Sequence, residues 1–393
     1  MRYPYYSPNL GIRDLIKALF SSKRNAEKKL AAYYKELTGK KYVLLTNSCR
    51  SALYLAYKAI GEQGEVITSP LTCKVAIDPI IETGNHPVYA DISKSNLNID
   101  PNKIEDLISD STIAIQPIHL GGVVCDMNRI MNIAKRRQLY VIEDCAQSLG
   151  GCFENKPSGS FGDIVCFSLI KNAYGIGGGV FLTDSENIYT KAKSISQTFP
   201  KNTLILIYYR ILRSLIETKR TSLFFELLYK RLLSFRAGKK SYKNVYSQLK
   251  QINSIEIKIA AYQINRYEKL HSQRKLIGRL FFETLNNKGL LINNDYNKNQ
   301  SSFTKFFIFN PKIRSAEHIP KLIQMEVESM HLEHSAGIAY QDMLVKENES
   351  LRMALQNYFL VHDSIISLPL NERMNGEDVE QIAQYLKSVI NEN

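Results

Sequence analysis

The chain has 393 residues, of which 44% are hydrophobic, and a formal net charge of +13. A chain of this length can bury a large core, so we expect one large and one smaller domain rather than a small stapled module. Its six cysteines lack the spacing of zinc ligands, which argues against a metal module. A disulfide framework would normally stabilise a small secreted fold, and this chain is neither small nor visibly secreted. Without a signal-peptide pattern or a long apolar stretch, the sequence predicts a cytoplasmic α/β protein.

The positive charge is concentrated in one segment. Residues 201–250 contain 12 Lys and Arg against two Glu, a net charge of +10, so the rest of the chain carries only about +3. The segment shows neither a recognised nucleic-acid-binding fold nor interleaved aromatic and basic residues. We therefore expect no nucleic-acid partner.

Strand and helix patterns alternate through the first half of the chain. Residues 24–38 predict an amphipathic helix that ends at Gly39, and further helices are predicted over Ser51–Ile60 and Met127–Arg137. The predicted strands are Tyr42–Leu45, Glu65–Thr68, His86–Ile92, Ile113–His119, Leu139–Asp144, Ile164–Ser168 and Gly179–Thr183. This alternation indicates a mostly parallel sheet with helices on both faces.

Three regions are predicted along the chain. Residues 1–195 form a large α/β domain, and residues 196–250 form a basic amphipathic helical insert. Residues 251–393 contain a long linking helix over Ile257–Leu285 and a small C-terminal α/β domain that closes with a helix over Asn375–Val389.

A polar turn follows the first predicted strand and opens a helix. The run Thr46–Ser51 reads T-N-S-C-R-S, and the free N–H groups and positive dipole of a helix N-terminus suit a phosphate. Arg50 would add a bidentate partner. Ser and Asn are also ordinary helix caps, so this motif by itself does not decide between an anion site and a cap.

Two further residues carry chemistry at strand ends. Asp144 ends a predicted buried strand, where a carboxylate must meet a cation or hydrogen-bond donors; a protonated pyridine nitrogen is one such cation, and a capping role is the alternative. Lys171 lies between an apolar strand and the glycine-rich turn Gly175–Gly179. Partial desolvation there favours the neutral amine that a Schiff base requires, whereas a surface lysine in a hairpin is the alternative.

Together these motifs resemble the DegT/StrS family of nucleotide-sugar aminotransferases, which depend on pyridoxal 5′-phosphate (PLP) and have the fold of type I PLP-dependent transferases. Several motifs match in the same order, which is more specific than any one of them. The matching runs are Ser48–Leu53, Pro70–Cys73, Pro117–Gly121, Glu143–Gln147, Gly162–Asp163, Phe167–Ser168, Lys171, Gly177–Gly179, Leu368–Asn371 and Glu377–Val379.

The resemblance implies roles for individual residues. Lys171 would bind PLP as a Schiff base and move the proton between two carbons, Asp144 would pair with the pyridine nitrogen, and Gln147 would bond the ring hydroxyl. His119 lies near the predicted pocket, and we interpret it as a structural histidine. The implied contacts to the phosphate and the ring are Ser48, Cys49, Arg50, Ser168 and Cys73.

Three of these positions depart from the family pattern. Cys49 and Arg50 stand where Gly and Thr are usual, so phosphate binding would depend more on Arg50. Cys73 stands where an aromatic side chain often stacks on the ring, and would replace stacking by a sulfur contact.

A lysine rather than the histidine of dehydrating family members implies transamination. An amino acid, with glutamate as the expected donor, would leave its amine on the cofactor, which would then aminate a nucleotide-linked keto-sugar for polysaccharide or amino-sugar biosynthesis. The resemblance also implies a homodimer whose partner loop contributes to the site, with Asn253 as the candidate residue. The alternative is a non-catalytic regulatory or interaction protein that keeps this fold.

The basic segment 201–250 has two apolar stripes at helical spacing. A basic amphipathic helix pair can lie in a membrane interface, where each basic residue gains roughly 1 kcal/mol near anionic lipid. Alternatively, both stripes pack on the protein or on its dimer mate, with solvated cations outside. The sequence does not decide between peripheral membrane contact and packing on the protein or its dimer mate.

Overall fold

A computed structural model of the chain describes residues 10–173, 175–202, 208, 211–212, 249–288, 301–312, 353–362, 364–368, 370 and 374–392. The helices of this part are α1 Ile12–Phe20, α2 Lys23–Thr38, α3 Cys49–Ile60, α4 Lys74–Glu82, α5 Met127–Arg137, α6 Glu186–Thr198, α7 Ser254–Ile264, α8 Tyr267–Asn287, α9 Gln356–His362 and α10 Gly376–Glu392. None of these helices has the length and apolar character needed to cross a membrane.

The strands of the described part form one large sheet and two small ones. They are β1 Tyr42–Thr46, β2 Glu65–Thr68, β3 His86–Tyr89, β4 Thr112–Gln116, β5 Tyr140–Cys145, β6 Cys152–Phe153, β7 Lys156–Pro157, β8 Ile164–Ser168, β9 Gly179–Thr183, β10 Phe306–Phe309 and β11 Ile365–Leu368. The large sheet has the order β1-β9-β8-β5-β4-β2-β3. Only β9 in this sheet runs against its neighbours. The predicted mostly parallel α/β fold is confirmed.

The first strand–helix unit shows why the sheet has a buried face. The Ser48 side chain caps α3 by accepting from the Ser51 N–H group, and Gly61 ends the helix in the left-handed region at φ 83°. Nearly every residue of α3 is buried, because the helix contacts α4, α6 and β9. Strands β8 and β9 are buried along their whole length. Helices therefore cover the sheet and place its strand ends at a sheltered edge.

Several element bounds agree with the sequence prediction, and others differ for identifiable reasons. The bounds of β2, β8, β9 and α5 are those predicted. Strand β4 ends at Gln116, because Pro117 follows and lacks an N–H group for the ladder. The Pro117 carbonyl still accepts from the Asp144 N–H group at 3.0 Å, so the chain remains alongside β5 beyond the end of β4.

The prediction of one long helix over Ile257–Leu285 is wrong, because α7 and α8 are separate. Asn265 and Arg266 form a tight turn between them, in which the Arg266 N–H group donates to the Gln263 carbonyl at 2.8 Å. The Arg266 side chain pairs with Asp14 of α1 at 3.1 Å. The turn lets α7 pack on α1 while α8 runs towards the C-terminal part. The apolar residues keep their helical spacing across this turn, so the sequence pattern does not indicate the break.

The described residues of the C-terminal part include the antiparallel pair β10–β11, with α8, α9 and α10. Helix α10 begins beside Asn375, whose side chain accepts from the Asp378 N–H group at 3.0 Å. Asp91 of the large sheet region accepts from the N–H groups of Asn357 and Tyr358, at 2.9 and 2.8 Å, and ties α9 to it. The domain bounds at residues 195 and 250 remain predictions, since most of the basic insert lies outside the described residues.

Candidate active site

The parallel pairing of β5 and β8 brings the predicted site residues to one edge of the sheet. Asp144 lies opposite Cys166, and Cys145 lies opposite Phe167, so Ser168 and Lys171 follow at the same end. Burial raises the pKa of Asp144, and the charge of Lys171 is near enough to oppose this shift. The residues predicted to bind the two ends of the PLP ring system therefore lie at the same edge of the sheet.

Asp144 is a buried carboxylate whose surroundings favour an incoming cation. Its Oδ1 accepts from the Ala146 N–H group at 2.9 Å and from the Cys49 thiol at 3.8 Å. Burial raises the pKa of Asp144, while the hydrogen bond from Ala146 and the charge of Lys171 act in the opposite direction. Within the described part of the chain, Asp144 forms no ion pair at contact distance. A protonated pyridine nitrogen fits this carboxylate.

Glycines hold the lysine turn against the N-terminus of α3. The Gly178 N–H group donates to the Asn47 carbonyl at 3.0 Å. A Cβ atom at position 179 would lie 2.4 Å from the Ser48 carbonyl carbon and 2.5 Å from the Cys49 nitrogen, so only glycine fits there. This close approach places the polar turn before α3 beside the segment that carries Lys171, as a phosphate site between them requires.

The Cys49 side chain faces the carboxylate rather than an anion site. Its sulfur lies 3.8 Å from Asp144 Oδ1 and 3.5 Å from the Cys166 carbonyl oxygen. Burial raises the pKa of the thiol, and the neighbouring Asp144 charge raises it further, so Cys49 is a neutral donor. A contact from residue 49 to a phosphate would have to come from its backbone N–H group.

Arg50 lies on the side of α3 that faces α4. Burial lowers the pKa of Arg50, while Asp78, Cys73 and Glu82 act in the opposite direction. Asp78 also pairs with Lys74 at 3.2 Å. Cys73 is the N-cap residue of α4 and makes no side-chain capping bond. The phosphate contact of Arg50 and the ring contact of Cys73 therefore remain predictions, with carboxylates nearby that would share the guanidinium.

Ser168 and Lys171 occupy a closed turn after β8. Ser168 pairs with Gly179 of β9, and its Oγ accepts from the Ile170 N–H group at 3.4 Å. The Gly175 N–H group donates to the Leu169 carbonyl at 2.7 Å and closes the turn. Lys171 is half-buried. The prediction that it is partly desolvated agrees with this burial.

Gln147 is held by both its side chain and its backbone. The Oε1 atom accepts from the Gly121 N–H group at 3.1 Å, and the main-chain carbonyl accepts from Ser302 Oγ at 2.9 Å. With Oε1 engaged as an acceptor, the side-chain nitrogen is left to act as the donor. This orientation suits the predicted bond to a ring hydroxyl oxygen.

Glu143 and His119 form a buried structural pair behind the site. His119 Nδ1 accepts from the Cys125 N–H group at 3.2 Å, so Nε2 carries the proton and donates to Glu143 at 2.9 Å. Glu143 also accepts from the N–H groups of Gly159 and Gly162, at 2.6 and 2.8 Å. His119, Glu143 and Cys145 lie close enough to hold a metal ion, but these bonds already occupy the His119 and Glu143 atoms. The structural interpretation of His119 agrees with this geometry.

Sequence analysis did not assign roles to four buried polar residues beside Lys171. Asn172 bonds to Arg274, Ser302 and Thr304, which come from α8 and the segment before β10. Asn172 directly follows Lys171 in the sequence, and only this adjacency could have indicated that Asn172 matters for the site. No local pattern marks Arg274, which is one of several basic residues on α8.

Asn253, the candidate for contact with a partner subunit, has a local role in this chain. Its side chain accepts from the Ile255 N–H group at 2.9 Å, and Glu256 accepts from the Asn253 N–H group at 3.0 Å. This capping box starts α7 three residues before the predicted helix.

The fold and the strand-end residues define an α/β protein of the PLP-dependent transferase type. The DegT/DnrJ/EryC1/StrS aminotransferase family profile matches residues 12–387. The chain therefore belongs to this family, which confirms the resemblance inferred from the sequence motifs.

Individual relatives agree with this assignment. The spore coat polysaccharide biosynthesis protein SpsC of Bacillus subtilis is 38% identical over 203 residues, 49% of this chain and 52% of SpsC. The GDP-perosamine synthase of Escherichia coli O157:H7 is 34% identical over 203 residues, 49% of this chain and 56% of the synthase. The chain thus spans about half the length of these curated relatives.

A solved structure extends the likeness in fold to the whole chain. Helicobacter pylori PseC, an aminotransferase involved in the biosynthesis of pseudoaminic acid, matches with a TM-score of 0.77 at 19% identity, covering 100% of both chains. At this level of identity the match shows the fold alone.

The Glu143–His119 pair gives a prediction for acid stability. Burial raises the pKa of Glu143, but the hydrogen bonds from His119 and from Gly162 and Gly159 outweigh it and hold the pKa below its ordinary value. The stability from this carboxylate is therefore present above the ordinary glutamate pKa of about 4.3 and is lost as pH falls through the lower folded value.

We expect Glu143→Gln to lower the free energy of unfolding by about 1–3 kcal/mol at neutral pH and to weaken the loss of stability on acidification. Urea unfolding at neutral pH and near pH 4 measures both effects. Glu105→Gln, which removes an exposed ion pair with Arg136, is the control. An acid dependence unchanged in Glu143→Gln would contradict the assignment.

Proposed function

We propose that the chain is a PLP-dependent aminotransferase that moves an amino group from an amino acid, with glutamate as the expected donor, to a nucleotide-linked keto-sugar. The observation that carries the proposal is the buried Asp144 carboxylate lying within the electrostatic reach of Lys171. Family membership supports the reaction class. Relatives named for polysaccharide biosynthesis and for a GDP-sugar support the substrate class.

When bound, PLP supplies an electron-withdrawing ring that makes the α-proton of an amino acid acidic. Asp144 would keep the ring nitrogen protonated, and Gln147 would orient the ring through its side-chain nitrogen. Lys171 Nζ would take and return the proton that moves between the two substrate carbons. Ser48, Ser168 and the first N–H groups of α3 would bind the phosphate.

A non-catalytic regulatory protein with the same fold is the second candidate. The observation that favours it is that Cys49 and Arg50 face Asp144 and α4 respectively, rather than a common phosphate site. Cofactor binding separates the two candidates, because a regulatory protein would need neither the lysine-linked chromophore nor its reaction with an amino acid.

We expect the purified chain supplied with PLP to absorb visible light, and glutamate to bleach this band. Lys171→Ala should lose the lysine-linked band and at least about 10²-fold in transamination rate, because the proton-transfer group is gone. Lys156→Ala, which removes an exposed lysine of β7, is the matched control. Absorbance spectra and a coupled assay with nucleotide-linked keto-sugars measure the outcomes. Full activity of Lys171→Ala would overturn the assignment.

We further propose that the enzyme works as a homodimer in the cytoplasm. All six cysteines are free, which is typical of a reducing compartment. The dimer rests on the family resemblance. Sedimentation velocity of the purified chain tests it, with a dimer expected at micromolar concentration. A monomer that is fully active under the same conditions would contradict the proposal.

Peripheral membrane contact through residues 201–250 is a further proposal. Most of the segment lies outside the described residues, but Ile211 packs in a buried cluster with Leu10 and Ala18 of the α1 region. The opposite side of α1 exposes apolar side chains at helical spacing, and Phe20 is 88% exposed. The exposed apolar stripe of α1 and the charge of +10 on residues 201–250 together support contact with an anionic bilayer. At Ile211 itself, the buried contact supports the alternative that the insert packs on the protein.

Sedimentation with lipid vesicles tests this contact. We expect binding to anionic vesicles at low salt, weaker binding at high salt, and no binding to zwitterionic vesicles, because screening reduces the attraction. Ile16→Ser with Phe20→Ser should reduce binding, whereas Leu276→Ser, at an exposed leucine of α8, should not. Absence of binding to anionic vesicles at low salt would rule the contact out.

A further inference from the structure

The side chain next to the catalytic lysine candidate is fixed from two directions. Asn172 is buried, and its Nδ2 donates to the Leu149 carbonyl at 3.0 Å and to Ser302 Oγ at 3.0 Å. Its Oδ1 accepts from Arg274 at 2.9 Å and from Thr304 Oγ1 at 2.5 Å. An amide held by both ends has one rotamer, so the peptide that joins residues 171 and 172 is fixed as well.

Arg274 determines which way this amide faces. A guanidinium is always charged and has no acceptor, so it can bond only the oxygen end of Asn172. Arg274 holds this oxygen, while the one proton of Thr304 Oγ1 is shared between Asn172 Oδ1 and the Gln147 carbonyl. The Nδ2 end therefore faces the carbonyls of Gln147 and Leu149. Arg274 is only 2% exposed, and a buried cation is retained only where such bonds hold it.

The same network reaches the other side of the predicted ring site. The Gln147 carbonyl accepts from Ser302 and from Asn172, at 2.9 and 3.3 Å. The Thr304 N–H group donates to the Gly121 carbonyl at 3.0 Å, and the Gly121 N–H group holds the Gln147 side chain. One buried set of bonds therefore fixes the lysine turn and Gln147 relative to each other.

We propose that Arg274 is a positioning residue for Lys171 and acts through the side chain of Asn172. The proposal rests on the proposed function, because it concerns the placement of the amine that links PLP. Arg274 orients Asn172, Asn172 fixes the backbone after the lysine, and the lysine side chain then starts from one position. Pyridoxamine phosphate occupies the same site without forming a bond to the lysine, so it reports the pocket but not the amine.

The test compares two ligands on apo-protein. For Arg274→Met we expect the rate of lysine-linked chromophore formation with PLP to fall at least about tenfold, because a small misplacement of a reacting group is costly. The Kd for pyridoxamine phosphate should change less than about threefold, because Gln147 keeps its bonds from Ser302 and Gly121 when Arg274 is replaced. Arg274→Lys should recover part of the rate by keeping a donor and a charge. Arg279→Met, at an exposed position of α8, is the matched control.

Each combination of results for the two ligands either supports or overturns the positioning role of Arg274. A parallel loss of rate and of pyridoxamine phosphate affinity would show a general structural role and overturn the proposal, as would unchanged values for both ligands. Should Arg274→Met fail to fold by circular dichroism, Asn172→Ala replaces it: the proposal requires the same separation of the two ligands, and a parallel loss overturns it. A wild-type chain that binds neither ligand would instead defeat the proposed function, so the two failures are distinguishable.

Discussion

A carboxylate buried at the end of the central strand β5 is the constraint on which the rest of the site depends. Asp144 lies among the sheet, α3 and the lysine turn, and burial raises its pKa. Such a group costs free energy unless a cation or donors reach it. The Ala146 amide and the Cys49 thiol donate to it and the charge of Lys171 acts on it, and a cationic ring would complete this arrangement.

The geometry around this carboxylate depends on close backbone packing. Gly178 and Gly179 bring the lysine turn against the start of α3, where any Cβ at position 179 would overlap with main-chain atoms. On the opposite side, the buried polar network of Asn172 ties the turn to α8 and to the C-terminal part. The turn that carries Lys171 is thus held between two regions that are far apart in the sequence, which would let it place an amine accurately.

The departures from the family pattern acquire a physical meaning in the structure. Cys49 stands where a glycine is usual, and its thiol donates towards the carboxylate that would pair with the ring. Arg50 stands where a threonine is usual and lies in the field of the α4 carboxylates. Cys49 therefore acts on the carboxylate of the candidate site, whereas the charge of Arg50 interacts with α4.

The sequence by itself determined the mostly parallel sheet, the bounds of β2, β8 and β9, and the family, because these follow from local periodicity and from motifs near strand ends. It also proposed Asp144, Gln147 and Lys171 as site residues from their places after strands. Only the tertiary structure decided the break between α7 and α8 and the direction of the Cys49 side chain. It alone brought Arg274 to Asn172 across 102 positions of the chain. Such contacts depend on which buried groups must satisfy one another's hydrogen bonds, and local sequence carries no record of that pairing.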